Sequence, residues 1–173
     1  MEYATRAFVG LGGAAALLIW AFIEEILKYL AAKKTVFAKK YFDEPIDAVI
    51  YMITAALGFA SLENALFIFK SLLDSSVLAS INTGSMRFIG ATLLHTASSA
   101  IVGSSIAFSF FHKENRRRNV IGGILLAGLL HFVFNYFIMK DDGGNILKVL
   151  VPLWLIIIII IFIFEKIKKI KRN

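Results

Sequence analysis

Long apolar runs separated by short clusters of charged residues make up nearly the whole chain. A helix needs about 20 mainly apolar residues to cross roughly 30 Å of hydrocarbon, and five stretches have that character: 7–32, 46–69, 88–111, 120–139 and 146–164. Pro45 precedes the second stretch, where a missing N–H costs nothing in the first turn. Pro152 falls in the first turns of the fifth and need not break it. Residues 71–86 read as a loop, and Gly143 with Gly144 makes the fourth connection a tight polar turn. The pattern predicts an all-α, polytopic membrane protein: one membrane-embedded domain, 1–173, built as a bundle of about five transmembrane helices. The fifth helix carries the isoleucine run 156–161 and no polar face, so it is expected to face lipid as an accessory to a four-helix core.

Several polar residues interrupt these runs. Glu24, Glu25 and Lys28 lie in the first, Glu63 and Asn64 in the second, His95 in the third, and His131 with Asn135 in the fourth. A charge near the bilayer centre costs about 2.5–3.5 kcal/mol on insertion scales, so such groups normally face the bundle interior and pair. Helical spacing supports that placement. Gly123, Ala127, His131 and Asn135 recur every four residues; His95, Ser98, Ser99 and Gly103 share a face; Ala56, Ala60 and Asn64 lie beside the row Ala55, Phe59 and Glu63. Small residues let helix backbones approach, and the polar groups then meet across the seam. At about 1.5 Å per residue, Glu63 lies about 10 Å inside Lys70, and His95 and His131 about 12 Å inside Arg87 and Lys140, in one layer of the outer half. Glu24 and Glu25 lie about 27 Å from Arg6, nearer the other face. A tilted first helix, a displaced N-terminal segment or a water-filled cone would have to close that gap.

Composition agrees with the pattern. Of 173 residues, 58% are hydrophobic and 18% charged, against about 45–50% and about 25% in soluble domains. Mean hydropathy is +0.76. Cysteine is absent, which excludes a disulfide framework and thiolate chemistry. The net charge of +7 does not point to nucleic acid, because the cations cluster between apolar runs. Lys33, Lys34, Lys39 and Lys40 fill the first connection, Lys113 and Arg116 to Arg118 the third, and five more lie in the tail. The second connection has none, and Asp141 and Asp142 offset Lys140 in the fourth. The positive-inside rule then puts the N-terminus outside the cell membrane and the C-terminus in the cytoplasm. With no small-residue cleavage site, the first apolar stretch reads as a retained helix rather than a signal peptide.

Four motifs occur in order on four successive helices: EExxK at Glu24–Lys28, FxxxEN at Phe59–Asn64, a lone His95, and HxxxN at His131–Asn135. Together they resemble the PrsW family of intramembrane proteases, within the wider group of CAAX prenyl endopeptidases and bacteriocin-processing enzymes. That wider group has EExxxR and FxxxH, so EExxK and FxxxE point to the PrsW branch. The likeness runs from about Trp20 to Tyr136, leaving out the fifth helix and the tail.

The resemblance implies a four-helix catalytic core and an endopeptidase that hydrolyses membrane-anchored proteins or peptides by an activated water. Glu24 or Glu25 would be the base, with Lys28 holding one of them ionised. His131 would share the water or donate a proton, and Asn135 would donate to the oxyanion, with Asn64 in support. A metal version is equally open: Glu63, His95 and His131 would supply the carboxylate and two imidazoles common in catalytic Zn2+ sites, leaving Glu24 or Glu25 as base. Outer-half placement suggests cutting near the extracytoplasmic face. Each group also has a plainer reading. Glu24 with Lys28 makes a buried ion pair, His95 an interhelical hydrogen-bond partner, and the two asparagines and the Ser98–Ser99 pair serve packing. Two other functions compete, a transporter or proton relay, and a non-catalytic membrane scaffold or immunity partner. The first is disfavoured by the lack of an inverted helix repeat.

Overall fold

The computed structural model describes residues 11–74, 77–140 and 146–171. Five helices follow one another: α1 Leu11–Thr35, α2 Pro45–Asp74, α3 Val77–Phe108, α4 Lys113–Lys140 and α5 Ile146–Ile167. Helices are what the apolar runs demand, since hydrocarbon offers no partner for a backbone N–H or C=O outside the segment itself. The start of α2 shows the local chemistry. Pro45 takes the first helical position, and Asp47 reaches back so that its carboxylate accepts from the N–H of Asp43 at 3.1 Å and of Glu44 at 2.9 Å. An acidic side chain there also suits the positive end of the helix. α5 runs unbroken through Pro152.

Among the described residues, α2, α4, Phe88–Phe108 of α3 and Leu150–Ile167 of α5 are long and apolar enough to span a membrane. α1 differs because every 18-residue stretch of it contains Glu24, Glu25 and Lys28. Those charges turn inward, and large apolar side chains such as Leu62, Leu126, Ile158 and Phe162 point outward. The chain is an integral membrane protein.

Two boundaries differ from the sequence reading. The stretch 71–86 is mostly helical, with α2 continuing to Asp74 and α3 beginning at Val77. The basic run Lys113–Arg118 forms the first turns of α4 instead of a loop. Neither segment contains Gly or Pro to stop a helix except Gly84, and a single Gly is tolerated. The expected start of the first helix before residue 11, the Arg6 marker, Asp141, Asp142 and the Gly143–Gly144 turn lie outside the described residues.

α3 is central, with α2 packed along it, α4 on another side and α5 docked through Leu153 against Leu94, Ala97 and Phe134. α1 fills the space between α4 and α2. Small residues set the separations. A Cβ on Gly103 would lie 2.6 Å from Val49 Cα and 2.7 Å from the Ala48 carbonyl oxygen, so α2 and α3 touch backbone to backbone there. A Cβ on Gly128 would sit 2.5 Å from the Phe22 ring, which marks how closely α1 lies on α4. The rest of α5 is largely exposed apolar surface, as its isoleucine run implies.

Candidate active site

α1 presents Glu25 and Lys28 one turn apart to the seam between α3 and α4, both essentially inaccessible to solvent. Glu25 is surrounded by donors. Lys28 Nζ donates to its Oε1 at 2.7 Å, Ser98 Oγ at 2.9 Å and His131 Nδ1 at 3.0 Å, while Ser99 Oγ reaches Oε2 at 3.5 Å. A carboxylate can only accept, so His131 Nδ1 carries a proton. The other ring nitrogen, Nε2, lies 3.5 Å from Glu24 Oε2, a buried oxygen without a hydrogen-bond partner among the described residues.

His95 is fixed by the same logic. Lys28 Nζ is 2.7 Å from its Nδ1, and an ammonium can only donate, so the ring proton is on Nε2. Nε2 donates to Glu63 Oε2 at 2.9 Å. Phe59, one turn before Glu63, lies 5.5 Å from the His95 ring and 5.0 Å from the Lys28 ammonium. The two imidazoles meet edge to face at 5.0 Å.

One chain of contacts therefore runs Glu63–His95–Lys28–Glu25–His131–Glu24 and draws on four helices. Donor atoms of Glu24, His95 and His131 lie within 4.8 Å of one another. That group includes Glu24 where the sequence reading placed Glu63; Glu63 sits against Nε2 of His95. The apparent depth gap closes for a physical reason. Lys70 and Arg87 lie inside continuous helices, so neither marks a helix end from which depth can be counted. Measured from the described helix ends, Glu63, His95 and His131 lie about 14–27 Å along, and Glu24 about 20 Å from Leu11, within the same range.

Asn64 Nδ2 donates to Thr92 Oγ1 at 3.1 Å, tying α2 to α3. Asn135 is half-buried one turn beyond His131, with no hydrogen bond to the cluster. Ser98 and Ser99, read as packing, are donors to Glu25; sharing a face with His95 was the signal available for them. His112 is exposed beside the basic end of α4.

The donor set also bears on a metal. Glu24 Oε2 lies 3.5 Å from His131 Nε2 with no hydrogen-bond partner among the described residues, and the cluster sets three carboxyl groups beside one ammonium. Carboxylate oxygen and imidazole nitrogen are ligands that suit a divalent cation held by Glu24 and the imidazoles.

The chain is similar to known proteins. Residues 3–164 match the model of the PrsW family intramembrane metalloprotease. The chain is 27% identical over 139 residues to Protease PrsW of Geobacillus kaustophilus (strain HTA426), covering 80% of this chain and 58% of that protein. It is 28% identical over 143 residues to Protease PrsW of Clostridioides difficile (strain 630), covering 82% and 54%. For Protease PrsW of Shouchella clausii (strain KSM-K16) the identity is 26% over 149 residues, covering 84% and 65%. The chain thus spans between half and two thirds of the length of these curated relatives. No solved structure matches. The family match covers all four helices whose polar side chains converge, and the chain belongs to the PrsW family.

Proposed function

We propose that this chain is an intramembrane endopeptidase that hydrolyses a peptide bond of a membrane-anchored protein or peptide, with α1 to α4 as its catalytic core. One observation carries the reading: Glu24 Oε2, buried and without a hydrogen-bond partner among the described residues, lies 3.5 Å from Nε2 of His131, and ligand atoms of Glu24, His95 and His131 fall within 4.8 Å of one another. Glu24 and His131 would hold a divalent metal such as Zn2+, joined by His95 once the Lys28 ammonium leaves its Nδ1, and the metal when bound would supply a polarised water and a Lewis acid for the scissile carbonyl. Glu25 holds the imidazole of His131 in the orientation and tautomer that leave Nε2 free. Lys28 and the two serines saturate and fix Glu25, so its part is to orient His131, and Glu24 is the carboxylate left to act as base where it does not ligate the metal. Glu63 accepts from His95 Nε2 and orients that ring. The half-buried Asn135, one turn from His131, is the nearest amide on α4 for a developing oxyanion. The shared motif order supports placing the family beside the CAAX endopeptidases. The loop charges support a cell-membrane topology with the C-terminus in the cytoplasm.

The test is cleavage of a membrane-anchored reporter co-reconstituted with the protein in liposomes. Glu24→Gln and His131→Ala are expected to abolish cleavage while the variants remain folded by circular dichroism. Cleavage that persists in both would remove the protease reading.

A further inference from the structure

At the basic end of the bundle, where Lys33 lies about 12 Å along α1 from Glu25 and Arg116 about 22 Å along α4 from His131, a separate cavity lies between the first connection and the start of α4. Its volume is about 220 Å3, and it is lined by Tyr29 and Lys33 of α1, Phe37 and Phe42 of the connection, and Arg116 of α4. At roughly 30 Å3 per water, it holds about seven waters. A phosphate and its ester oxygens suit that space; a whole acyl chain does not.

Two cations from different helices face this cavity, and neither has a carboxylate within 4.0 Å among the described residues. Arg116 is half-buried, yet its five N–H donors make one hydrogen bond, from Nη2 to the Phe110 carbonyl at 3.4 Å, and its buried Nε has no partner. The guanidinium is held instead between rings, 5.9 Å from Phe42 and 5.8 Å from Phe110, and the Lys33 ammonium lies 5.8 Å from Tyr29. Stacking of this kind orients a cation without neutralising it. Lys113, Arg117 and Arg118 crowd the same end of α4, where only Glu114 has the sign the helix dipole favours. The site lacks an anion.

We propose that this cavity binds the phosphate of an anionic phospholipid from the surrounding leaflet. The planar guanidinium suits a phosphate bidentately. Aromatic side chains at this level belong to the interfacial layer where headgroups lie, and Ile106 and Val120 give the cavity an apolar floor continuous with the core. A lipid held there would also clamp α1 to α4, the two helices that supply Glu24, Glu25 and His131. The inference does not depend on the proteolytic reading.

The experiment titrates the purified full chain, in phosphatidylcholine nanodiscs, with short-chain phosphatidylglycerol and follows binding by native mass spectrometry and melting temperature. Arg116→Gln is compared with Arg117→Gln, and Lys33→Gln with Lys34→Gln, so that each pair removes the same charge from the same helix. Loss of a hydrogen bond to a charged group corresponds to about tenfold weaker binding. Arg116→Gln and Lys33→Gln are each expected to lose about that much more than their partners. If Arg116→Gln does not fold, the lysine pair decides. Equal losses within the pairs overturn the proposal and leave only diffuse attraction to a basic face. Equal stabilisation by inorganic phosphate alone overturns the lipid as its source.

Discussion

Glu24 and Glu25 are adjacent in the chain, yet 100° of helix rotation gives them different surroundings. Glu25 faces Lys28, Ser98, Ser99 and His131; Glu24 faces His131 Nε2 at 3.5 Å, and its buried Oε2 has no hydrogen-bond partner among the described residues. The two conservative amides should therefore separate. Glu25→Gln leaves the buried Lys28 without its counter-ion, a loss of about 3–5 kcal/mol, read as a large drop in melting temperature in detergent. Glu24→Gln alters a buried oxygen that makes no hydrogen bond among the described residues, so its melting temperature should hold or rise while cleavage disappears. A smaller gradation is expected at the serines. Ser98→Ala forfeits a 2.9 Å bond to a carboxylate, about 1.5–3 kcal/mol, and should destabilise more than Ser99→Ala, whose contact is 3.5 Å. The residue types of this cluster were legible in the sequence, because ionisable groups inside apolar runs advertise themselves. Their division of labour was not. Which of two neighbouring carboxylates is saturated depends on where Ser98 and Lys28 arrive in space, and nothing in EExxK specifies that.

Five helices and their order followed from hydrophobic run lengths, and the polar stripes named the faces that meet. The lengths did not follow as well, because α2 runs on beyond Lys70 and α3 begins ahead of Arg87, which made both residues misleading depth markers. What brings the elements close enough is set by glycines whose roles differ by neighbour rather than by sequence context. Gly103→Ala would drive a methyl into the α2 backbone on two sides, 2.6 and 2.7 Å away. Backbone cannot rotate aside as a side chain can, so the loss should be about 1–3 kcal/mol. Gly58, just ahead of the FxxxEN motif, has nothing within 4 Å of the same atom, and Gly58→Ala should be neutral or stabilising by about 0.5–1 kcal/mol. Gly128 is the informative intermediate. Its neighbour is the Phe22 ring, which can swing away, so Gly128→Ala should cost less stability than Gly103→Ala. It should cost more activity, because it levers α1, with Glu24, away from His131. Thermal unfolding and reporter cleavage measured on the three variants check that ordering.

On the scale of the whole molecule, the bundle gathers three carboxyl groups, two imidazoles and one ammonium from four helices into a largely apolar interior. Lys28 bridges Glu25 and His95, so much of this cluster is satisfied by the chain's own groups. The fold should therefore survive treatment with a chelator. The remaining imbalance sits at Glu24 and His131, where a divalent cation would bind the folded state and not the unfolded one. Zinc added at a hundred times its dissociation constant should then stabilise the bundle by about 2.7 kcal/mol, reversibly with chelator, as measured by thermal unfolding. The variants distinguish the two ligand sets. If Glu24, His95 and His131 hold the ion, the shift vanishes in Glu24→Gln and His131→Ala and persists, weakened, in Glu63→Gln, because Glu63 then only orients His95. If the shift vanishes in Glu63→Gln and survives in Glu24→Gln, then Glu63, His95 and His131 are the ligands, and Glu24 is left as the base alone. A shift of equal size in every variant would mean that zinc binds elsewhere on the chain, and the polar cluster would have to work on its own protons.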